Sequence, residues 1–393
     1  MQKKVILKKG KEESLQRFHP WIFSGAIAGI EGDPDEGDIV DVYTSQGQWI
    51  ATGHIQVGSI AVRVLSFRKE TIDSDFWYRR LLTAFKVRQA LNLTGRDDHN
   101  IYRLVHGEGD NLPGLVIDIY GRTAVMQAHS VGMHCDRMEI AGALSRVMGD
   151  SISGIYYKSE TTLPFKANVD RGNGYIMGGP SGDTPLEYGM KMPVDWISGQ
   201  KTGLFIDQRE NRALLEKYSK GRNVLNMFCY TGGFSLAALR GGANLVHSVD
   251  SSARAIELTA GGVKDNFPGD TRHEAFAEDA FKYLERMDSI YDLIILDPPA
   301  FAKHKDALKH ALIGYRRLNQ KAMEKIQPGG LLFTFSCSQV VTKDQFRMAV
   351  FTAAAQAGRS VRILYQLHQP ADHPVSIFHP EGEYLKGLVL VVE

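Results

Sequence analysis

The chain has 393 residues, of which 43% are hydrophobic and 23% charged, more than one core usually accommodates, so two or three domains are expected. Lys plus Arg (46) and Asp plus Glu (45) nearly cancel to a net charge of +1, so overall electrostatics give no argument for nucleic acid and only local clusters can. No run approaches the roughly 18 apolar residues of a membrane helix, and the three cysteines fit neither a disulfide framework nor a C-x-x-C spacing, so a cytoplasmic protein without membrane partner or metal is expected.

The first 70 or so residues read as short strands separated by turn signals. Asp38 to Tyr43 and Ile60 to Phe67 are the clearest, with Gly32-Asp33-Pro34 and Gly47 as punctuation, and a small β-barrel is expected. From Asp73 to Leu93 the period changes: Phe76, Leu81, Leu82, Phe85, Val87 and Leu91 make a helical stripe. Strands at 102–106, 115–120 and 123–129, a helix at 136–147, and strands near 155–158, 176–178 and 190–194 then suggest a compact α+β segment. The stretch Gly203 to Arg212 reads as a strand turning into a helix. Beyond Asp207 the pattern alternates, with strands at 223–228, 245–250, 272–277, 290–297 and 331–336 separated by helices near 234–239, 253–266, 280–286 and 314–326. Such βα repetition implies a doubly wound parallel sheet, with ligands at the carboxyl ends of its strands. A further helix at 343–357 and strands at 361–367 and 386–392 would add an antiparallel edge.

The first strand of that series runs into Phe228-Cys229-Tyr230-Thr231-Gly232-Gly233-Phe234, where glycines let a ligand approach the backbone. A phosphate-binding G-x-G-x-x-G is absent, which disfavours a dinucleotide. The next strand ends in Asp250, suited to accept from both hydroxyls of a ribose, and the third is followed by Glu278-Asp279, an acceptor for an adenine amino group. Each acid could equally be a helix N-cap. Taken together they fit a ribose-bearing, phosphate-free cofactor, S-adenosylmethionine. Gln208 and Arg209 either face its amino-acid end or merely cap a helix and make ion pairs.

Two further strand ends carry reactive groups, Asp297-Pro298-Pro299 and Ser336-Cys337-Ser338. Carbon 5 of a pyrimidine becomes nucleophilic once a thiolate has added at carbon 6, so Cys337 fits the nucleophile of a C5 methylation. Asp297, on the same rim as the cofactor, could hydrogen-bond the base. An isolated cysteine is more often inert core, and Cys229 and Cys135 are read that way. Tyr230, Phe301 and Tyr315 are stacking candidates, although core packing is the commoner role for such aromatics. Basic clusters lie at Lys3, Lys4, Lys8, Lys9, Lys11 and Arg17, and from Lys303 to Arg317.

On these motifs, together with His19-Pro20-Trp21-Ile22-Phe23-Ser24-Gly25, Asp110 to Leu115, Lys201 to Arg209 and Ala371-Asp372-His373-Pro374-Val375, the chain resembles, over nearly its full length, the bacterial ribosomal RNA large subunit methyltransferase I family. The resemblance implies an α/β protein: a PUA-like RNA-binding β-barrel (1–72), a small α+β middle domain (73–190) and a Rossmann-like methyltransferase domain (191–393). It further implies S-adenosylmethionine-dependent methylation of cytosine carbon 5 in 23S ribosomal RNA. Cys337 would be the nucleophile and Asp297 would lie beside the base, with Gly232, Gly233, Asp250 and Asp279 around the cofactor. The partner would be 23S rRNA or a large-subunit assembly intermediate, with a homodimer left open. The rival readings are a guanine-nitrogen methyltransferase, which needs no thiol, and a non-catalytic RNA-binding scaffold.

Overall fold

The structure, a computed structural model, describes residues 2–164, 169–170 and 172–393. The chain divides into two compact units. Unit 1 comprises Met1–Gly189, Asp195–Gly203 and Ala371–Gly382; unit 2 comprises Met190–Val194, Leu204–Pro370 and Glu383–Glu393. Among the described residues no helix is long and apolar enough to cross a membrane.

Unit 1 begins with β1 (Lys4–Leu7), the short helix α1 (Glu13–Gln16), β2 (Trp21–Phe23), β3 (Ile27–Glu31), β4 (Ile39–Tyr43), β5 (Trp49–Ile55) and β6 (Ile60–Ser66). The six strands form one sheet in the order β2-β6-β5-β4-β1-β3. Alternate residues of β1 and β4 point inward, so Val5, Leu7, Val40 and Val42 meet Leu15, Ile22, Val62 and Val64 in one core. The sequence showed β4 and β6 but not β1, β2, β3 or β5. Three of these lack clear alternation: β2 and β3 stay partly exposed, while β5 is buried on both faces from Ala51 onward.

Helix α2 (Ser74–Ala90) starts where expected, because the Asp73 carboxylate accepts from the Phe76 N–H at 2.9 Å. It buries Phe76, Trp77, Leu81 and Ala84. The second sheet of the unit consists of β7 (Ile101–His106), β8 (Leu115–Tyr120), β9 (Thr123–Ala128), β10 (Gly154–Tyr157) and β11 (Gly174–Gly178), in the order β11-β10-β9-β8-β7. Helices α3 (Val131–Cys135) and α4 (Arg137–Met148) lie between β9 and β10, and β12 (Leu186–Glu187) follows β11.

Buried charges fasten the returning segment 371–382 within this unit. Arg88, fully buried, forms a two-pronged ion pair with Asp110 and donates to the Asp372 carbonyl at 2.8 Å. The Asp372 carboxylate accepts from the Arg103 backbone N–H at 2.9 Å, and Arg103 itself forks onto Asp118. A Cβ on Gly109 would lie 1.9 Å from the Pro374 carbonyl oxygen, so only glycine fits there.

Unit 2 starts with β13 (Met190–Lys191), much shorter than the strand expected over 190–194. No strand leads directly into α5 (Arg209–Tyr218): residues Ile206–Gln208 form a 3-10 turn. Leu204-Phe205-Ile206 is too short an apolar run to sustain a strand against the helix that follows. The alternating series then appears as read: β14 (Asn223–Met227), α6 (Gly233–Arg240), β15 (Leu245–Asp250), α7 (Ala253–Asn266), β16 (His273–Ala277), α8 (Ala280–Arg286), β17 (Leu293–Leu296), α9 (Leu308–Lys325), β18 (Gly330–Ser336), α10 (Lys343–Ala357), β19 (Val361–His368) and β20 (Lys386–Val392). The seven strands are ordered β16-β15-β14-β17-β18-β20-β19, parallel from β16 to β18 and antiparallel at β20 and β19. Every residue of β17 and β18 is buried, the pattern of strands covered on both faces by helices.

Candidate methyl-transfer site

Because β16, β15, β14, β17 and β18 run the same way, their carboxyl ends share one edge of the sheet. In register Met227 pairs with Val249 and Leu296, Val249 with Phe276, and Leu296 with Thr334. The residues that leave these strands therefore follow one another along the rim in the order Asp279, Asp250, the glycine loop, Asp297 and Cys337. Gln208 and Arg209, at the start of α5, belong to the same unit.

The glycine loop is bent by three left-handed residues, Phe228 (φ +58°), Tyr230 (φ +47°) and Gly232 (φ +79°). Gly232 is required for a second reason. A Cβ there would sit 2.6 Å from Thr259 Cγ2 of α7, closer than any side chain tolerates. The Asp250 carboxylate holds the loop by accepting from the Tyr230 N–H at 3.0 Å and from the Ser252 N–H at 2.9 Å. Thr259 donates its hydroxyl to the Tyr230 carbonyl at 2.9 Å. A carboxylate fixed by two backbone donors, beside a turn with two adjacent glycines, suits a ribose. The donors present fit S-adenosylmethionine.

Asp279 is exposed and serves as the N-cap of α8, accepting from the Lys282 N–H at 3.1 Å. Gln208 and Arg209 are buried at 3% and 1% exposure. Gln208 accepts from the Asn211 side-chain amide at 2.7 Å, and Arg209 donates to Glu210 at 3.2 Å. Asp207 accepts from the Tyr384 hydroxyl at 2.7 Å. Arg209 is thus a buried guanidinium paired with an exposed carboxylate, unlike an ordinary surface ion pair.

Cys337 is half-buried at the end of β18, its Sγ 3.9 Å from the Pro298 carbonyl oxygen. Ser338 donates its hydroxyl to the Ala302 carbonyl, which ties the cysteine turn to the loop after Asp297. On the other side Lys386, the first residue of β20, donates to the carbonyls of Ser338 at 2.5 Å and Val341 at 2.8 Å. Burial pushes the Lys386 ammonium down to about 8, while negative charge on Cys337 acts in the opposite sense. Tyr315 is fully buried, and its phenol is pushed up to about 12, first by burial and then by negative charge at Cys337 and Asp297. It packs between Phe301 and Phe346 and so is a core residue rather than a stacking platform for a base. Phe301 and Tyr230 are half-buried.

A PUA-like domain model matches residues 5–67, and a model for S-adenosylmethionine-dependent methyltransferases matches residues 164–383. The chain is 41% identical over 391 residues to ribosomal RNA large subunit methyltransferase I of Erwinia tasmaniensis, covering 98% of each chain. It is 40% identical over 395 residues to the protein of the same name in Escherichia coli, again covering 98% of each. The chain belongs to the ribosomal RNA large subunit methyltransferase I family. Its fold is shared with a candidate S-adenosylmethionine-dependent methyltransferase from Streptococcus mutans (23% identity, TM-score 0.84, all of both chains). It is shared also with a methyltransferase candidate crystallised with SAH (24% identity, TM-score 0.85, all of both chains). The chain therefore combines an N-terminal PUA-like domain with a Rossmann-like methyltransferase domain, takes S-adenosylmethionine as cofactor, and is a large-subunit rRNA methyltransferase.

Within this methyltransferase I chain, sequence reasoning missed Lys386 and Thr259. A lysine opening a strand and a threonine inside a helix carry no local signal, and both act through partners distant in sequence. Of the other cysteines, Cys229 is buried and its thiol is pushed up to about 12, chiefly by burial and then by Asp250, in keeping with a packing role. Cys135, read as a packing residue, is instead exposed at the end of α3.

Proposed function

We propose that this protein methylates carbon 5 of a cytosine in 23S ribosomal RNA through a covalent adduct between Cys337 and carbon 6 of the base. The observation that carries the reading is the fastened pair of turns at the ends of β17 and β18, which brings the Cys337 thiol against the loop that Asp297 begins. The Cys337 thiolate adds to carbon 6, and the electron pair released at carbon 5 becomes the nucleophile. Asp297, hydrogen-bonded to the base, stabilises the charge that develops in the ring. Once carbon 5 carries the methyl group, loss of its proton to a base restores the double bond and expels the thiolate. The cofactor supplies an electrophilic methyl on a sulfonium. Gln208, Arg209, Tyr230, Gly232, Gly233, Asp250, Asp279 and Asp297 are the residues that would hold it.

The target base must leave any duplex to reach such a rim. The exposed Lys303, His304, Lys305, Lys309 and His310, directly after the Asp297 loop, are suited to its phosphates. Three domains (1–72, 73–190 and 191–393), and a substrate that is either free rRNA or an assembly intermediate, belong to the same reading. The test is nucleoside mass spectrometry of unmodified large-subunit rRNA incubated with the protein and methyl-labelled cofactor. Labelled 5-methylcytidine that vanishes in Cys337→Ala, while calorimetry gives unchanged cofactor affinity, is the expected result. Labelled methylguanosine, or normal turnover in Cys337→Ala, would overturn it.

A further inference from the structure

Unit 1 holds a group of ligating side chains that methyl transfer does not use. His19, in the loop after α1, meets His379 and Glu381 of the returning segment, and one ligand atom from each lies within 4.8 Å of the others. His19 Nε2 is 3.7 Å from one Glu381 oxygen, and His379 Nε2 is 3.8 Å from the other. Both separations are too long for hydrogen bonds. Two donors held about 2.0–2.2 Å from one tetrahedral zinc ion stand roughly 3.4 Å apart. The two histidine–carboxylate gaps are within a few tenths of an ångström of that spacing, and the widest separation in the group, at most 4.8 Å, needs up to about 1.4 Å of closure around a shared ion.

The buried histidine supplies an independent reason. His379 is 3% exposed, yet neither ring nitrogen has a hydrogen-bond partner. Its ring is walled by Trp21, 4.3 Å away, and by His19, 5.5 Å away. A neutral imidazole carries one donor and one acceptor, and burying both unmet is unfavourable. An ion on Nε2 satisfies the acceptor. His19 is oriented in the manner of a metal ligand: its Nδ1 lies 3.3 Å from the Trp21 carbonyl oxygen, the acceptor that fixes a ligating tautomer. The same Nδ1 is 3.2 Å from the Trp21 N–H, which it accepts when the other tautomer is present. Glu381 is exposed, so a fourth position would be open to water.

We propose that His19, His379 and Glu381 form a binding site for a divalent transition-metal ion of the zinc class, which pins the Ala371–Gly382 segment to the loop after α1. Two imidazoles and one carboxylate favour zinc over magnesium or calcium, which prefer all-oxygen sites. The test titrates zinc chloride into tag-free, chelator-stripped full-length protein in a calorimeter. One ion per chain is expected, with affinity reduced at least tenfold in His379→Phe and in Glu381→Gln. Glu381 is on the surface, so Glu381→Gln reads the site even if the buried substitution fails to fold. Cobalt(II) in the same protein should give visible ligand-field bands without thiolate charge transfer, because no cysteine takes part. Absence of stoichiometric binding, undiminished affinity in Glu381→Gln, or a thiolate band would each overturn the proposal.

Discussion

Replacing Lys386 by methionine tests how the cysteine turn is held. The ammonium is buried and donates to two carbonyls, those of Ser338 and Val341. Losing two charge-assisted bonds costs about 1.5–3 kcal/mol each. Against this, burial lowers the group from 10.5 to about 8, a charging cost near neutral pH of about 3 kcal/mol that methionine removes. The two effects nearly offset, so Lys386→Met should be destabilised by only about 0–3 kcal/mol near pH 7. The pH dependence is more telling. With the folded pKa below the unfolded one, the unfolded chain binds the extra proton between about pH 8 and 10.5, and the wild-type protein gains stability as pH rises through that window. Between pH 7 and 9.5 the advantage of wild type over Lys386→Met should widen by about 2 kcal/mol. Urea unfolding followed by far-UV circular dichroism at both pH values measures it. All four tryptophans (Trp21, Trp49, Trp77 and Trp196) lie in unit 1, so fluorescence run in parallel monitors that unit. A gap that stays constant or narrows would refute the assignment of a buried, charged lysine at this turn.

Asp250→Ala removes the acceptor of the Tyr230 and Ser252 N–H groups together with the proposed ribose contact, and should weaken cofactor binding at least tenfold by calorimetry; an unchanged Kd would remove Asp250 from the site. Asp279→Asn keeps the cap of α8, because asparagine caps as well as aspartate. A several-fold loss of cofactor affinity with unchanged thermal stability is expected, whereas full affinity would leave Asp279 as a cap alone. Gly109→Ala sets a Cβ against the Pro374 carbonyl and should destabilise unit 1 by about 1–3 kcal/mol, read as a lower melting temperature. No loss would mean that the segment shifts freely.

The methyltransferase sheet was legible because short strand-like runs, wholly apolar in β17, alternate regularly with periodic helical segments. Helices α7, α8 and α10 and strands β15 and β20 fall at the expected limits. Strand β17 is shorter than expected: the run from Ile290 pairs only from Leu293, and Asp292 instead accepts from the Asn223 N–H. The N-terminal sheet was harder to read, since β5 is buried on both faces and β2 and β3 are partly exposed. At the candidate site, the residues proposed for chemistry could be placed at strand ends from position alone. Their supports were not, because Lys386 reaches Ser338 and Thr259 reaches Tyr230 only through the tertiary fold. The same reason hid the His19, His379 and Glu381 group, whose members lie near opposite ends of the sequence.

Strand β20 pairs along all seven residues of β18 on one side and with β19 on the other. During synthesis, therefore, the strand that delivers Cys337 keeps one apolar edge open until residues 386–392 leave the ribosome. An unpaired, fully apolar edge invites strands from other molecules. Closing it brings Lys386 to the cysteine turn in the same motion, so the step that protects the nascent sheet from aggregation is also the step that sets the thiol in place.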